Sequence, residues 1–262
     1  DIVYHHFLFL PAMRLGIDEE YKLPDYIPTR GHLTLESKKI SKSRNWYIGL
    51  KDFLKIFPAD YLRFYLVSIN PYSQDDLNFN WDEFATKINS ELIGNLGNLV
   101  NRALGFTVKS FDSIVPDPEK FDDMDKESEK MIHELASQLS VLMEENHLDR
   151  ALKKILQFSA HFNQYFQHKE PWKNGAGTNS CVFLAVNAVR SLAIAIYPFL
   201  PESSQKIWVQ LGLDGNVSTE MFDEISNITL KQGHKLGQVS PLFEKVEESV
   251  IEEQKSKLRG TS

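Results

Sequence analysis

Apolar positions along the chain follow three successive patterns. Residues 1–30, opening "DIVYHHFLFLPAM", are aromatic, apolar and punctuated by Pro11, Pro24 and Pro28. That is too hydrophobic for a free tail and reads as a piece of a larger layer. Alternation then appears at Leu33-Thr34-Leu35 and predicts a strand over residues 31–36. Leu50, Phe53, Leu54 and Phe57 recur at helical spacing, so a helix is expected there, broken by Pro58. A second helix is expected over Ala59–Ser68, with Leu62, Tyr65, Leu66 and Ile69 on one face. "DDLNFN" alternates again, as a short strand would.

From Trp81 onward the period is helical almost throughout. One long helix is predicted to about Phe111, although Gly94, Gly97 and Gly105 each weaken it by about 1 kcal/mol relative to alanine. The acidic, proline-bearing stretch 112–125 reads as a loop. Further helices are expected near 126–146, 148–169, 178–197 and 201–212. Their short connections make neighbours antiparallel, which is a helix bundle. Residues 213–240, rich in Gly, Asn and Ser, look irregular, and a charged terminal helix follows Val246, Val250 and Ile251. The expected fold is mainly α: a small α/β piece leading into a helix bundle. The divisions fall at 1–30, 31–80, 81–230 and 231–262.

Composition adds limits. The chain has 262 residues, 42% of them hydrophobic and 25% charged, as in ordinary globular proteins. It opens on Asp1 rather than Met, so a piece of a longer protein is expected. The richest apolar run, Cys181 to Leu200, is interrupted by Asn187, Arg190 and Ser191, and no membrane partner is expected. Cys181 is the only cysteine, which excludes an internal disulfide and fits a reducing cytoplasm. It opens an apolar helical pattern and is expected to pack. The histidines form no ligand cluster, so no metal site is expected.

Net charge is −7, which argues against a protein wrapped in nucleic acid. The charge is uneven, however. Between residues 36 and 63, seven basic side chains face only Glu36, Asp52 and Asp60. Between residues 112 and 129, eight acids face only Lys120 and Lys126. Polyanion binding is therefore expected to be local.

The basic stretch peaks at Ser37–Arg44, "SKKISKSR". Lysines beside small hydroxyl residues on a loop suit polyphosphate: ammonium groups neutralise it, and hydroxyls and amides donate to its oxygens. Lys39-Ile40-Ser41-Lys42-Ser43 resembles the Lys-Met-Ser-Lys-Ser signature of class I aminoacyl-tRNA synthetases. Ile40 stands for the usual methionine, expected to point inward. The flanks narrow the likeness to the methionyl-tRNA synthetase family. "DIVYHHFLFLPAM" resembles the segment beside its methionine pocket, and "ADYLRFYL" the helix after its signature. "DLNFNWDEFATKINSELIGNLGNLVNR" resembles the entry to its anticodon-binding bundle, and "PLFEKV" its closing segment.

This resemblance implies a carboxy-terminal half: the end of a Rossmann-type catalytic domain (1–30), a stem-contact region with the KISKS loop (31–80), an α-helical anticodon-binding domain (81–230) and a terminal segment. The family's His-Ile-Gly-His signature is absent from the chain. The implied reaction joins methionine to ATP as methionyl-adenylate, with Mg2+ accompanying the ATP, and passes the methionyl group to methionine tRNA. Zn2+ is implied only for the missing amino-terminal half. Lys42 is implied on the ATP polyphosphate, supported by Lys39, Ser41 and Ser43. His6 is implied beside the methionine side chain, with His5 and Leu10 replacing the family's usual aromatics there.

Asn98 and Arg102, at i and i+4, share a helix face, and Pro171-Trp172 follows the end of another helix. An aromatic platform with Asn and Arg beside it suits unpaired bases. The resemblance implies that these four residues contact the anticodon. His161, Gln164 and His168 are expected to be merely exposed on the adjoining helix. Two other readings remain at this point: a non-catalytic helical tRNA-binding or interaction module, and a class I synthetase for cysteine, leucine or valine.

Overall fold

The computed structural model describes residues 2–17 and 20–259. Residues 2–16 form a helix (α1) whose middle turn, His5–Phe9, is π-helical. No side chain of α1 is buried, and Ile2, Tyr4, Phe7, Leu8 and Met13 all stand exposed. The expected layer is thus represented by one helix and an extended segment, with no strand among the described residues before 33.

Strand β1 (Leu33–Leu35) pairs antiparallel with β2 (Lys38–Lys39) and parallel with β3 (Leu77–Phe79). The β1–β2 turn places both Glu36 (φ 47) and Ser37 (φ 60) in the left-handed region, the geometry of a tight two-residue hairpin. Gly31 is required where the chain enters β1, because a Cβ there would lie 2.1 Å from the Asp75 carbonyl oxygen.

Helix α2 spans only Leu50–Phe53, and turns continue to Phe57. The expected four-residue apolar face is half realised. Phe53 and Phe57 are buried against Trp81 and Phe84, whereas Leu50 (58% exposed) and Leu54 (47%) face solvent. Only one side of the segment meets another element, so only half the stripe finds a partner. In α3 (Ala59–Ser68) the buried side chains are Asp60, Tyr61, Phe64 and Tyr65, while Leu62, Leu66 and Ile69 are half-buried. The face is rotated because polar partners pull it. Asp60 accepts from the backbone N–H and hydroxyl of Ser203, both at 2.7 Å, and Tyr61 donates to the Glu244 carbonyl at 2.7 Å.

The long helix α4 runs over residues 81–110 as Trp81–Lys87, a ten-residue π-helical stretch Ile88–Gly97, and Asn98–Ser110. Two of its three glycines fall within the π stretch. Asn80 caps its start by accepting from Glu83 N. Glu36 ties that start to the hairpin, accepting from Asn80 Nδ2 at 2.8 Å and Trp81 N at 2.9 Å.

The bundle continues with α5 (Asp123–Glu144), α6 (Leu148–Lys169), α7 (Thr178–Ile196) and α8 (Pro201–Gln210). Asp122 and Asp125 form a reciprocal cap on α5. Helix α6 ends where Glu170 turns left-handed (φ 44) before Pro171. Helix α7 is buried on nearly all sides because it lies in the middle, packed by α4, α5, α6 and α8. It is long and apolar enough to cross a membrane, and 94% of that window is buried inside the fold. Residues 213–240 are irregular apart from two short 3₁₀ turns, and α9 (Glu248–Arg259) packs its Ile251 and Leu258 inward, near the start of α4. One core runs from Leu35 to Leu258 through all these parts.

Candidate nucleic-acid and phosphate-binding sites

The lysine-serine stretch is a hairpin of its own beyond β2. Ser41 and Trp46 exchange both backbone hydrogen bonds (2.8 and 2.9 Å), and Asn45, at φ 50, closes the turn onto the Lys42 carbonyl at 3.0 Å. The Trp46 indole N–H donates to the Leu35 carbonyl at 2.8 Å, and the Lys38 ammonium lies 4.6 Å from the centre of its ring. Ser41 and Ser43 hydroxyls meet at 3.1 Å. The ammonium groups of Lys39 and Lys42 are exposed, with no ion-pair or hydrogen-bond partner among the described residues. Their charges are therefore open to a ligand. Ile40, expected inside, is 39% exposed, one residue past β2, which is an edge strand of the three-stranded sheet.

The second region lies where α4, α6 and the turn after α6 meet. Arg102 places its guanidinium 5.3 Å from the Phe166 ring centre and 5.9 Å from that of Trp172. Its Nη2 donates to Gln167 Oε1 at 3.0 Å. Asn98, one turn earlier, donates from Nδ2 to Asn163 Oδ1 at 2.8 Å. Pro171 is buried and Trp172 is 43% exposed, so the proline seats the turn while the indole keeps a face in solvent. The fold thus gathers Asn98, Arg102, Pro171 and Trp172. Sequence reasoning missed Asn163, Phe166 and Gln167, which complete the same surface. Their spacing of three and four along α6 was the available signal.

An ionic cluster beneath fixes the turn. Lys169 reaches Asp125 at 2.6 Å and Asp122 at 2.7 Å, and the Tyr165 hydroxyl donates to Asp125 at 2.6 Å. Burial pulls the Lys169 ammonium down, but the bonds to Asp122 and Asp125 outweigh it and leave it above its ordinary value. The Lys169 hydrogen bond holds the Asp122 carboxyl below the usual range. Burial pushes the Cys181 thiol up to about 12, the state of a packing residue rather than a nucleophile. His161 departs from the simple exposure expected of it: half-buried, it meets the Ser128 hydroxyl at 2.9 Å, and burial lowers its pKa. The reason is that α5 packs over that side of α6, whereas Gln164 and His168 stay exposed.

His5 and His6 are exposed on α1 and Leu10 is half-buried. His6 lies in a helix and bonds the Ile2 carbonyl at 3.0 Å. It lines a cavity with Ile2, Val3, Phe7 and residues 27–32, and neither His5 nor Leu10 reaches that cavity. No group of three or more His, Cys, Asp or Glu side chains suited to a metal ion occurs among the described residues.

Residues 1–104 match the family model of class I tRNA synthetases (M), and residues 115–262 match that of the anticodon binding domain of methionyl tRNA ligase. The chain belongs to the methionyl-tRNA synthetase family. Methionine–tRNA ligase of Pyrococcus horikoshii is 38% identical over 263 residues, covering 96% of this chain and 35% of the relative. That of Saccharolobus islandicus is 34% identical, covering 99% and 47%. Mycobacterium tuberculosis methionyl-tRNA synthetase in complex with methionyl-adenylate superposes with a TM-score of 0.82 at 26% identity, over 93% of this chain and 48% of that one. The chain therefore spans between a third and a half of these methionyl-tRNA synthetases.

Proposed function

We propose that this chain is the carboxy-terminal part of a cytoplasmic methionine–tRNA ligase, supplying the phosphate-binding lysine loop and the reader of the methionine anticodon. The complete protein would take ATP, methionine and methionine tRNA. In its first step the methionine carboxylate attacks the α-phosphorus of ATP and pyrophosphate departs. Lys42, on an open hairpin, would meet the charge that grows on the leaving pyrophosphate, with Lys39, Ser41 and Ser43 around it. Mg2+ arriving with the ATP would neutralise part of the phosphate charge, leaving the rest to the lysines of the loop. Any Zn2+ would belong to the portion of the ligase that precedes this chain. His6, with His5 and Leu10 near it on α1, would border the methionine side once that portion is in place.

The reading rests chiefly on one observation. An exposed indole from the turn after α6 converges with a guanidinium and an amide that share one face of α4. Trp172 offers a stacking face, and Asn98 and Arg102 offer hydrogen bonds to base edges. Fluorescence titration with RNA stem-loops tests it. Trp81 and Trp208 are buried and Trp46 is half-buried, so quenching on binding reports mainly Trp172. The chain is expected to bind a stem-loop carrying the methionine anticodon more tightly than one with an altered anticodon. Equal affinity for both, with the protein folded, would remove these residues from a base-reading role.

A further inference from the structure

Three side-chain amides on α4 and α6 form a directional relay. Asn95, in the π-helical stretch of α4, donates from Nδ2 to the Leu156 carbonyl of α6 at 2.8 Å. Asn163 donates from Nδ2 to Asn95 Oδ1 at 3.2 Å, and also to the Asn95 and Ser159 carbonyls at 2.9 and 3.2 Å. Asn98 donates from Nδ2 to Asn163 Oδ1 at 2.8 Å. A backbone carbonyl only accepts, so the Leu156 end sets the direction of every amide after it. Asn95 must present its oxygen to Asn163, and Asn163 its oxygen to Asn98. The outer end is Asn98 Oδ1, which has no hydrogen-bond partner among the described residues, on a side chain only half-buried.

We propose that Asn163 is a positioning residue that fixes the hydrogen-bonding polarity of Asn98, so that the base-reading face presents an acceptor from Asn98 beside the donors of Arg102. An acceptor next to donors complements a base edge carrying an exocyclic amino group beside a ring acceptor. Cytosine has that edge; uracil, with a carbonyl in place of the amino group, has it reversed. Without Asn163 the Asn98 amide turns freely and greets either base. The inference rests on reading this face as an anticodon-loop site.

The test uses the 262-residue chain and two RNA stem-loops, identical except that the cytosine of the methionine anticodon is uracil in the second. The unmodified chain should prefer cytosine by about tenfold or more. In Asn163→Ala the Arg102 contact to the residue-163 backbone carbonyl (3.5 Å) survives, so stacking and the cation remain. The cytosine stem-loop should lose about tenfold in affinity while the uracil one loses nothing, and the preference should vanish. Should Asn163→Ala fail to fold, Asn163→Ser is read in its place. Equal losses for both RNAs would reduce Asn163 to a packing residue and overturn the inference, as would an intact preference. No preference in the unmodified chain would instead remove the site itself.

Discussion

Lys42 stands at the tip of a turn closed by the Ser41–Trp46 pair, with its ammonium in solvent. A side chain so placed adds little to folding and is free to stabilise charge that appears only as a phosphoryl bond breaks. In the complete ligase, Lys42→Ala should cut ATP–pyrophosphate exchange by about 100-fold, roughly 3 kcal/mol, with the melting temperature of the protein unchanged. Wild-type exchange in that variant would take the lysine out of the reaction. Trp172 makes the complementary case: its exposed face is available for stacking while Pro171 anchors the turn. Trp172→Ala should weaken stem-loop binding by about 1–3 kcal/mol without changing pyrophosphate exchange. A loss of exchange with binding intact would reverse the two assignments.

Within elements, the packing of α5 on α6 carries a titrating group. His161 sits half-buried against Ser128, and burial holds its imidazole below the ordinary value of 6.5. The neutral form is therefore favoured by the fold. Its contribution is present above pH 6.5 and is lost as pH falls through the lowered folded value. Asp122, held below 3.8 by Lys169, loses its contribution only at still lower pH, so the two windows are separate. Melting temperature should begin to fall just below neutrality, and His161→Gln should flatten that first decline while leaving the acid limb intact. An unchanged profile in His161→Gln would assign the decline to another group. Lys169 matters through Asp125, which is 1% exposed. Lys169→Met leaves that carboxylate buried with only Tyr165 and its cap partners, and should destabilise the fold by about 3–5 kcal/mol in chemical denaturation. A smaller loss would mean that water reaches Asp125.

On the scale of the whole molecule, the hairpin region and the bundle share one core and several polar ties. Asp60 receives Ser203 of α8, Arg63 donates to the Pro198 and Phe199 carbonyls (both 2.8 Å), and Tyr61 holds Glu244. Unfolding is therefore expected to be a single transition, with Trp46 and Trp208 fluorescence changing together. Two separate midpoints would show that the ties do not couple the parts. Charge acts over the same distance. The basic stretch and the acidic stretch 112–129 are separate, so phosphate contacts are few and local. Non-specific RNA affinity should fall with added salt along the shallow slope of a few phosphate contacts, while the ratio between matched and mismatched anticodons changes little. A ratio that collapses with salt would mean the discrimination is carried by phosphates.

What the sequence determined by itself was local. Helical period and breakers located α5 to α8, because an amphipathic stripe and a cap depend only on residues a few positions apart. The same locality made the lysine-serine hairpin legible and put Asn98 and Arg102 on one face. The tertiary structure decided which apolar faces found partners: Leu50 and Leu54 have the right spacing yet face solvent, while Asp60 is drawn inside by Ser203. It also decided what meets the local motifs. Arg102 touches Gln167 and Trp172, and Asn98 touches Asn163, across some 65 residues of chain. No periodicity encodes such meetings. They depend on the angle at which α6 crosses α4 and on the left-handed turn at Glu170, which only the packed bundle sets.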